Sequence, residues 1–233
     1  MKALATLLAS AAIAFAAPAA AQSFVVTNAT VAAGDGSEPI ESGYVVVENG
    51  KVAAIGSGTP ASNLPAIDAN GAWVTPGIFA TVTSLGLWDV GAVSESNDTR
   101  AGGAPFSAAL DVAPVINPSS QHILVHRASG ITRAATVTLP SSSIFGGQGA
   151  VIDLGADPDA VTQARAFQVV ALGEYGGRIA GGSRVATHTL LRAALREASA
   201  NRTATSADIR SDDVLLTRFD AAALAPVARG EQP

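Results

Sequence analysis

The segment GYVVVENGKVAAIGSG, residues 43–58, constrains the fold more than any other. Two β-rich runs flank Asn49-Gly50. That pair tolerates the positive φ required at both centre positions of a two-residue hairpin turn. Upstream, SFVVTNATVAAGDG reads as a strand running into a Gly-Asp-Gly turn. Downstream, AIDANGAWVTPG offers a further turn at Asn70-Gly71 and a short strand to Val74. Short strands joined by tight turns predict a small β module over residues 22–75.

Beyond residue 75 the pattern changes. IFATVTSLGL, residues 78–87, reads as a buried strand ending in glycine and polar residues. The stretch 91–117 is loop-like, rich in Gly, Pro, Ser and Asn. Asn117 can cap a helix whose first position is Pro118, where no N–H is needed, and Gly130 is a natural stop. ITRAATVTL, residues 131–139, is the next strand, and the Gly146-Gly147-Gln148-Gly149 segment after it reads as a turn. Asp157-Pro158 opens a turn or a short helix, and periodicity leaves RAFQVVALGE open between strand and helix. Residues 181–200 form the clearest helix, and FDAAALAPVARGE a second one with a kink or break near Pro226. Strand, helix, strand, helix after a β module predicts an α/β domain with parallel strands.

The first residues, MKALATLLASAAIAFAAPAAAQS, carry Lys2, an uncharged apolar run and the small-residue site Ala19-Ala20-Ala21. These are the parts of a secretory signal peptide over 1–21, too short to span as a stable helix. The expectation is a periplasmic or secreted chain with no membrane span after cleavage. With no cysteine in 233 residues, disulfides, thiol chemistry and Cys-ligated zinc are excluded. The net charge is −5 and nothing basic clusters, which argues against a nucleic-acid partner.

Several separated segments resemble one family. The VVVENGKVAAIG hairpin leads into VTPG, and Asn97-Asp98-Thr99-Arg100, GITRAATVTLP and IFGGQGAVIDLG follow in order. This succession is similar to the imidazolonepropionase-like branch of the amidohydrolase superfamily. The resemblance implies a TIM-type (β/α) barrel preceded by a small β-sandwich module, with residues 76–233 as the first part of the barrel domain. The residues from Gly77 onward are fewer than the roughly 200–250 of a whole barrel. The chain also ends at GEQP directly after a helix. The expectation is therefore an N-terminal fragment truncated at its C-terminus.

The family hydrolyses amide or other C–N bonds with water activated by zinc or another divalent metal. Its first strand normally reads P-G-x-x-D-x-H-x-H-x-G. Here Pro76, Gly77 and Gly86 match, but Ala80 stands at the aspartate and Val82 and Ser84 stand at the two histidines. On an alternating strand Ile78, Ala80, Val82 and Ser84 would share the inward face. None is a ligand of the family kind, so no catalytic residue and no cofactor is expected for this chain, which would be inactive alone.

His122 and His126 lie four apart on the expected helix, but HILVH lacks the glutamate of a zinc-protease motif. They and His188 read as surface or packing residues. Barrel active sites lie at the C-terminal ends of strands and the loops that follow. The resemblance therefore puts Trp88, Asp89, Glu95, Asn97, Asp98 and Arg100 over the mouth as substrate-contact candidates. The plainer reading is a solvated loop with Asp98 and Arg100 as a surface pair. The implied partners are a small amide or peptide-like ligand and a homo- or hetero-oligomer with a related amidohydrolase. The alternative function is a metal-free binding protein or pseudoenzyme on the same fold.

Overall fold

The computed structural model describes residues 23–155, 158–200 and 215–233. The signal-peptide reading of residues 1–21 lies outside these residues, as does Asp157 of the expected Asp157-Pro158 turn. The chain divides into two compact units between Pro76 and Gly77.

The first unit is one five-stranded sheet. Its strands are β1 (Phe24–Val31), β2 (Ile40–Glu48), β3 (Lys51–Ser57), β4 (Ala66–Asp68) and β5 (Trp73–Val74). β1, β2 and β3 pair antiparallel, while β4 and β5 both lie parallel along β1. The β2–β3 hairpin turns at Asn49 (φ 52°) and Gly50 (φ 73°), the backbone that the Asn-Gly pair demands. At Asn70 (φ 50°) and Gly71 (φ 77°) the second Asn-Gly turn works differently. It carries the chain from β4 to β5 along one edge of β1, and Gly71 N–H donates to Asn28 O at 2.8 Å. A second layer facing this sheet, as the sandwich expectation requires, is not found among the described residues. Ala29, Val31 and Val45 form one buried cluster, while Val25 and Val46, opposite each other in the register, are buried on the other face. Asp68, fully exposed, has its carboxyl held below the usual range. The Asn70 N–H donates to it, as does the Asn28 side-chain amide.

Among the described residues, the second unit is a four-stranded mixed sheet in the order β6-β7-β8-β9 with four α-helices. Its strands are β6 (Ile78–Thr83), β7 (Ile131–Thr136), β8 (Phe145–Asp153) and β9 (Val161–Val170). The helices are α1 (Gln121–Ala128), α2 (Glu174–Ile179), α3 (Arg184–Ala200) and α4 (Arg218–Ala228). β6 and β7 pair parallel, with α1 between them in sequence, as strand–helix–strand patterning predicts. The expectation of a wholly parallel sheet is corrected by β8 and β9, which pair antiparallel. Among the described residues the sheet is open and no closed barrel is formed.

The glycine-rich segment 146–149 is strand, not turn. β8 is buried along most of its length, and its glycines are there for close approach. A Cβ on Gly146 would stand 2.9 Å from Thr138 O, and one on Gly147 would stand 2.7 Å from Leu110 O. α1 begins at Gln121 rather than Pro118, because Asn117 Oδ1 accepts the Ser119 N–H in a tight turn that delays the helix. α4 runs through Pro226 without a break.

One face of the second sheet packs against α1, with Ala80, Ala134, Ile152 and Leu154 around Ile123. A larger cluster joins Ile144 and Phe145 to Ala194 and Ala198 of α3 and Leu224 of α4. Burying a side chain the size of Leu224, fully enclosed here, contributes about 1.5–3 kcal/mol. The opposite face is open and apolar, lined by Phe79, Val82, Val137, Val151, Phe167 and Val169. The reading of residues 78–87 as a buried strand is corrected accordingly: Ile78, Phe79 and Val82 are 57%, 45% and 74% exposed. Nor do Ile78, Ala80, Val82 and Ser84 share one environment. The pairing slips by one residue between Ala80↔Ala134 and Thr83↔Thr136, and such a bulge turns the following side chains to the other face. Ala80 joins the α1 core and Val82 the open face.

Candidate functional site

The loops after β6 and β7 meet at the C-terminal ends of those two strands. Thr136 Oγ1 donates to Leu85 O at 2.9 Å and Thr83 Oγ1 to Ala135 O at 3.1 Å, tying the strand ends together. Ser84 follows β6 in a turn closed by Leu87 N–H to Ser84 O at 3.0 Å, with Gly86 at φ 81°. That backbone, left-handed at the third position, is why glycine stands there. The loop then returns alongside itself. Trp88 and Asn97 form an isolated antiparallel bridge, and Asp98 N–H donates to Leu87 O at 2.7 Å.

Trp88 and Asp89 are half-buried at the entry to α1. The Trp88 ring stacks on His122, with centroids 4.0 Å apart and planes at 28°. Such a pair contributes about 0.5–1.5 kcal/mol beyond its buried area. The Asp89 carboxylate accepts from the Gln121 N–H at 3.3 Å and from Asn117 Nδ2 at 3.1 Å. The four leading N–H groups of a helix lack intrahelical partners and favour negative charge. Asp89 answers that need from 32 residues upstream, where the side chain of the adjacent Ser120 does not.

The other candidates are exposed. Asn97 Oδ1 accepts from Thr99 N–H and Thr99 Oγ1, at 3.1 and 2.6 Å. Glu95, also fully exposed, has its carboxyl held below its usual value. Its own backbone N–H and the Ser94 hydroxyl hydrogen-bond to it. Asp98 and Arg100 do not form the expected surface pair. Arg100 Nη1 instead donates to Tyr175 Oη at 2.8 Å and Pro140 O at 3.4 Å, and the Tyr175 hydroxyl donates to Pro140 O at 2.7 Å. Arg178 lies over the Tyr175 ring, 5.6 Å from its centroid. The structure thus divides the sequence-derived set. Trp88 and Asp89 brace α1, Asn97 and Asp98 shape the loop, and Arg100 presents charge beside a phenol. Sequence spacing gave no sign of Tyr175, Asn117 or His122 as their partners, since each pairing spans 28 or more residues.

A hydrolytic metal needs convergent lone pairs, and the described residues bring no such set together. Val82 is apolar and lies on the open sheet face, and Ser84 lies past the strand end. His122 Nε2 donates to Asp89 O at 3.0 Å and His126 Nδ1 to His122 O at 2.7 Å, since carbonyl oxygens only accept. His188 stands exposed on α3. Among the described residues no three His, Asp or Glu side chains converge on one point. What the loop cluster offers is hydrogen-bond donation and stacking, chemistry that binds and orients.

No family model and no curated protein matches the chain. Two solved structures do. A molinate hydrolase aligns over 29% of this chain and 15% of its own, at 27% identity and a TM-score of 0.25, and carries no structural argument. An amidohydrolase from Thermotoga maritima MSB8 matches at a TM-score of 0.73 and 22% identity, over 90% of this chain and 56% of that one. The chain therefore spans little more than half the length of that protein and shares the fold of an amidohydrolase over the part the two have in common.

Proposed function

We propose that this chain is an exported amidohydrolase-like protein that, by itself, does not hydrolyse amides. The reading is carried by the fold shared with an amidohydrolase, together with the match at Pro76, Gly77 and Gly86 that would set Val82 and Ser84 at the family's first two imidazole positions. The family chemistry is metal-assisted cleavage of non-peptide or cyclic C–N bonds, and neither side chain supplies what that chemistry needs. In this reading β6, α1 and β7 are the opening strand–helix–strand of a (β/α) barrel. The branch is the imidazolonepropionase-like one, and β8 and β9 are its antiparallel departure.

The test is a double variant, Val82→His with Ser84→His, assayed with added zinc against cyclic and acyclic amides. The expected result is no metal-dependent turnover, because two imidazoles alone do not complete a site and no third His, Asp or Glu converges with them among the described residues. Turnover that requires the metal would refute the account.

A metal-free binding role is favoured by one specific feature. Arg100 has Nε and Nη2 free of partners among the described residues, beside the Tyr175 hydroxyl. A small amide or peptide-like ligand could accept from these donors.

Export rests on Lys2, the apolar run after it and Ala19-Ala20-Ala21. A related amidohydrolase-fold chain is the partner class that the open apolar face would suit. Intact and native mass spectrometry of periplasmic protein should show a chain beginning at Gln22, in complex. A mass that retains residues 1–21 removes the export reading, and a lone monomer removes the partner.

A further inference from the structure

A cleft of about 430 Å³ opens between α4 and the β8–β9 pair, away from the loop of residues 84–100. One wall is apolar, made of Phe219, Ala222, Ala223 and Pro226, which recur along one side of α4. The other wall is polar, made of Asp111, Gln148, Arg165 and Gln232. Its volume falls within the range of small-ligand sites, roughly 300–1,000 Å³, and the union of an apolar body with a few convergent polar groups is typical of them.

Three features of the polar wall indicate what it would hold. The first is charge. Arg165 Nε donates to Asp111 Oδ2 at 2.7 Å, and Asp111 Oδ1 accepts the Ala113 N–H at 3.0 Å, so the two opposite charges are already matched. The second is a backbone departure. Between Gly149↔Phe167 and Val151↔Gln163 the register of β9 slips, and Arg165 sits in the bulge at φ 49°. A non-glycine residue held there costs conformational energy and persists only where its surroundings fix it. Here Gln232 Nε2 fixes it by donating to Arg165 O at 2.7 Å. The third is a pair of carboxamides. Gln148 and Gln168 stand directly opposite in the antiparallel register, hence on the same face. Both polar atoms of the Gln168 side chain are buried with no hydrogen-bond partner, and the Gln148 side chain lines the cleft. Buried amides nearly always find partners, so the unpartnered Gln168, one strand behind the Gln148 that lines the cleft, marks a place where a guest that reaches past Gln148 can supply them.

We propose that this cleft is a second binding site, separate from the loop cluster, for a small neutral ligand. The ligand would present a carboxamide edge, an adjacent donor and acceptor, beside an apolar group. The edge would pair with the Gln148–Gln168 amides and the apolar group would lie on Phe219, Ala223 and Pro226. An ion is disfavoured because the charges lining the cleft already cancel. The proposal shares no residue with the metal question and stands or falls apart from it.

The test titrates the full chain, ¹⁵N-labelled, with N-acetyl-L-leucinamide and with N-acetyl-L-leucine. The side-chain amide signals are assigned by Gln148→Leu and Gln168→Leu. The amide should give saturable shifts of both signals and bind about tenfold or more tighter than the acid. The acid lacks the donor and brings a negative charge to Asp111, and a missing donor is strongly rejected by a site built for it. Ala222→Trp fills the cleft from an exposed helix position, so it keeps the fold, and it should abolish the response. Preference for the acid, a response that survives Ala222→Trp, or no saturable shift up to about 10 mM, well above a millimolar Kd, would overturn the proposal.

Discussion

Asp220→Ala is expected to lower the unfolding free energy of the second unit by about 2–4 kcal/mol, measured by urea denaturation. Asp220 is 5% exposed, in the first turn of α4. Its Oδ1 accepts the N–H groups of Ser107 and Ala109, each at 2.9 Å, and its Oδ2 accepts from Thr217 Oγ1 at 2.9 Å. Thr217 Oγ1 in turn caps the helix by accepting the Asp220 N–H at 3.1 Å. One carboxylate thus pins the loop before Asp111 to the start of α4 and holds the capping hydroxyl. Alanine leaves two part-buried N–H groups without an acceptor and frees Thr217 to rotate. Asp220→Asn keeps an oxygen for the two N–H groups, and the Thr217 hydroxyl can reverse to accept, so it should cost about 1 kcal/mol. If alanine and asparagine behave alike, the loop is held by something else.

Gly147→Ala should destabilise the same unit by about 2–5 kcal/mol, from backbone strain and overpacking together. Gly147 has φ +94°, where a Cβ is resisted, and an added methyl would stand 2.7 Å from both Leu110 Cβ and Leu110 O. Leu110 O is not free to retreat, since it accepts the Gln148 N–H at 2.6 Å. The strand would have to separate from the 110–112 segment, taking Gln148 with it. Thermal unfolding and hydrogen exchange of the Gln148 amide are the measurements. An unchanged midpoint with a protected amide would show that Leu110 yields without cost.

These two residues show where sequence reading succeeds and where it stops. The β2–β3 hairpin was legible because Asn49 and Gly50 carry the conformational requirement in their own covalent structure. α3 is legible within residues 181–200, and it begins at Arg184, past the Gly181-Gly182 pair. Glycine, though, means either a turn or a close approach, and only the neighbour distinguishes them. Residues 146–149 read as a turn because Leu110 and Phe167, which crowd against them, are distant in sequence. The start of α1 depends on both local and distant contacts: Asn117 Oδ1 turns back on the Ser119 N–H, and Asp89 supplies the helix-end acceptor from another loop. Alternation placed Val82 inward beside Ala80, and a one-residue slip against β7 parted them. Of the loop candidates, the sequence located the segment but not the roles. Stacking on His122 and bonding to Tyr175 are products of tertiary packing.

The central proposal is that this chain, which shares the fold of an amidohydrolase over the part the two have in common, holds no hydrolytic metal of its own. The most direct measurement is the metal content of the purified, untagged full chain, by inductively coupled plasma mass spectrometry after dialysis against metal-free buffer. The account predicts far less than one zinc or other transition metal per chain, because Val82 and Ser84 offer no ligand and no three His, Asp or Glu side chains converge among the described residues. About one tightly held transition metal per chain would contradict it.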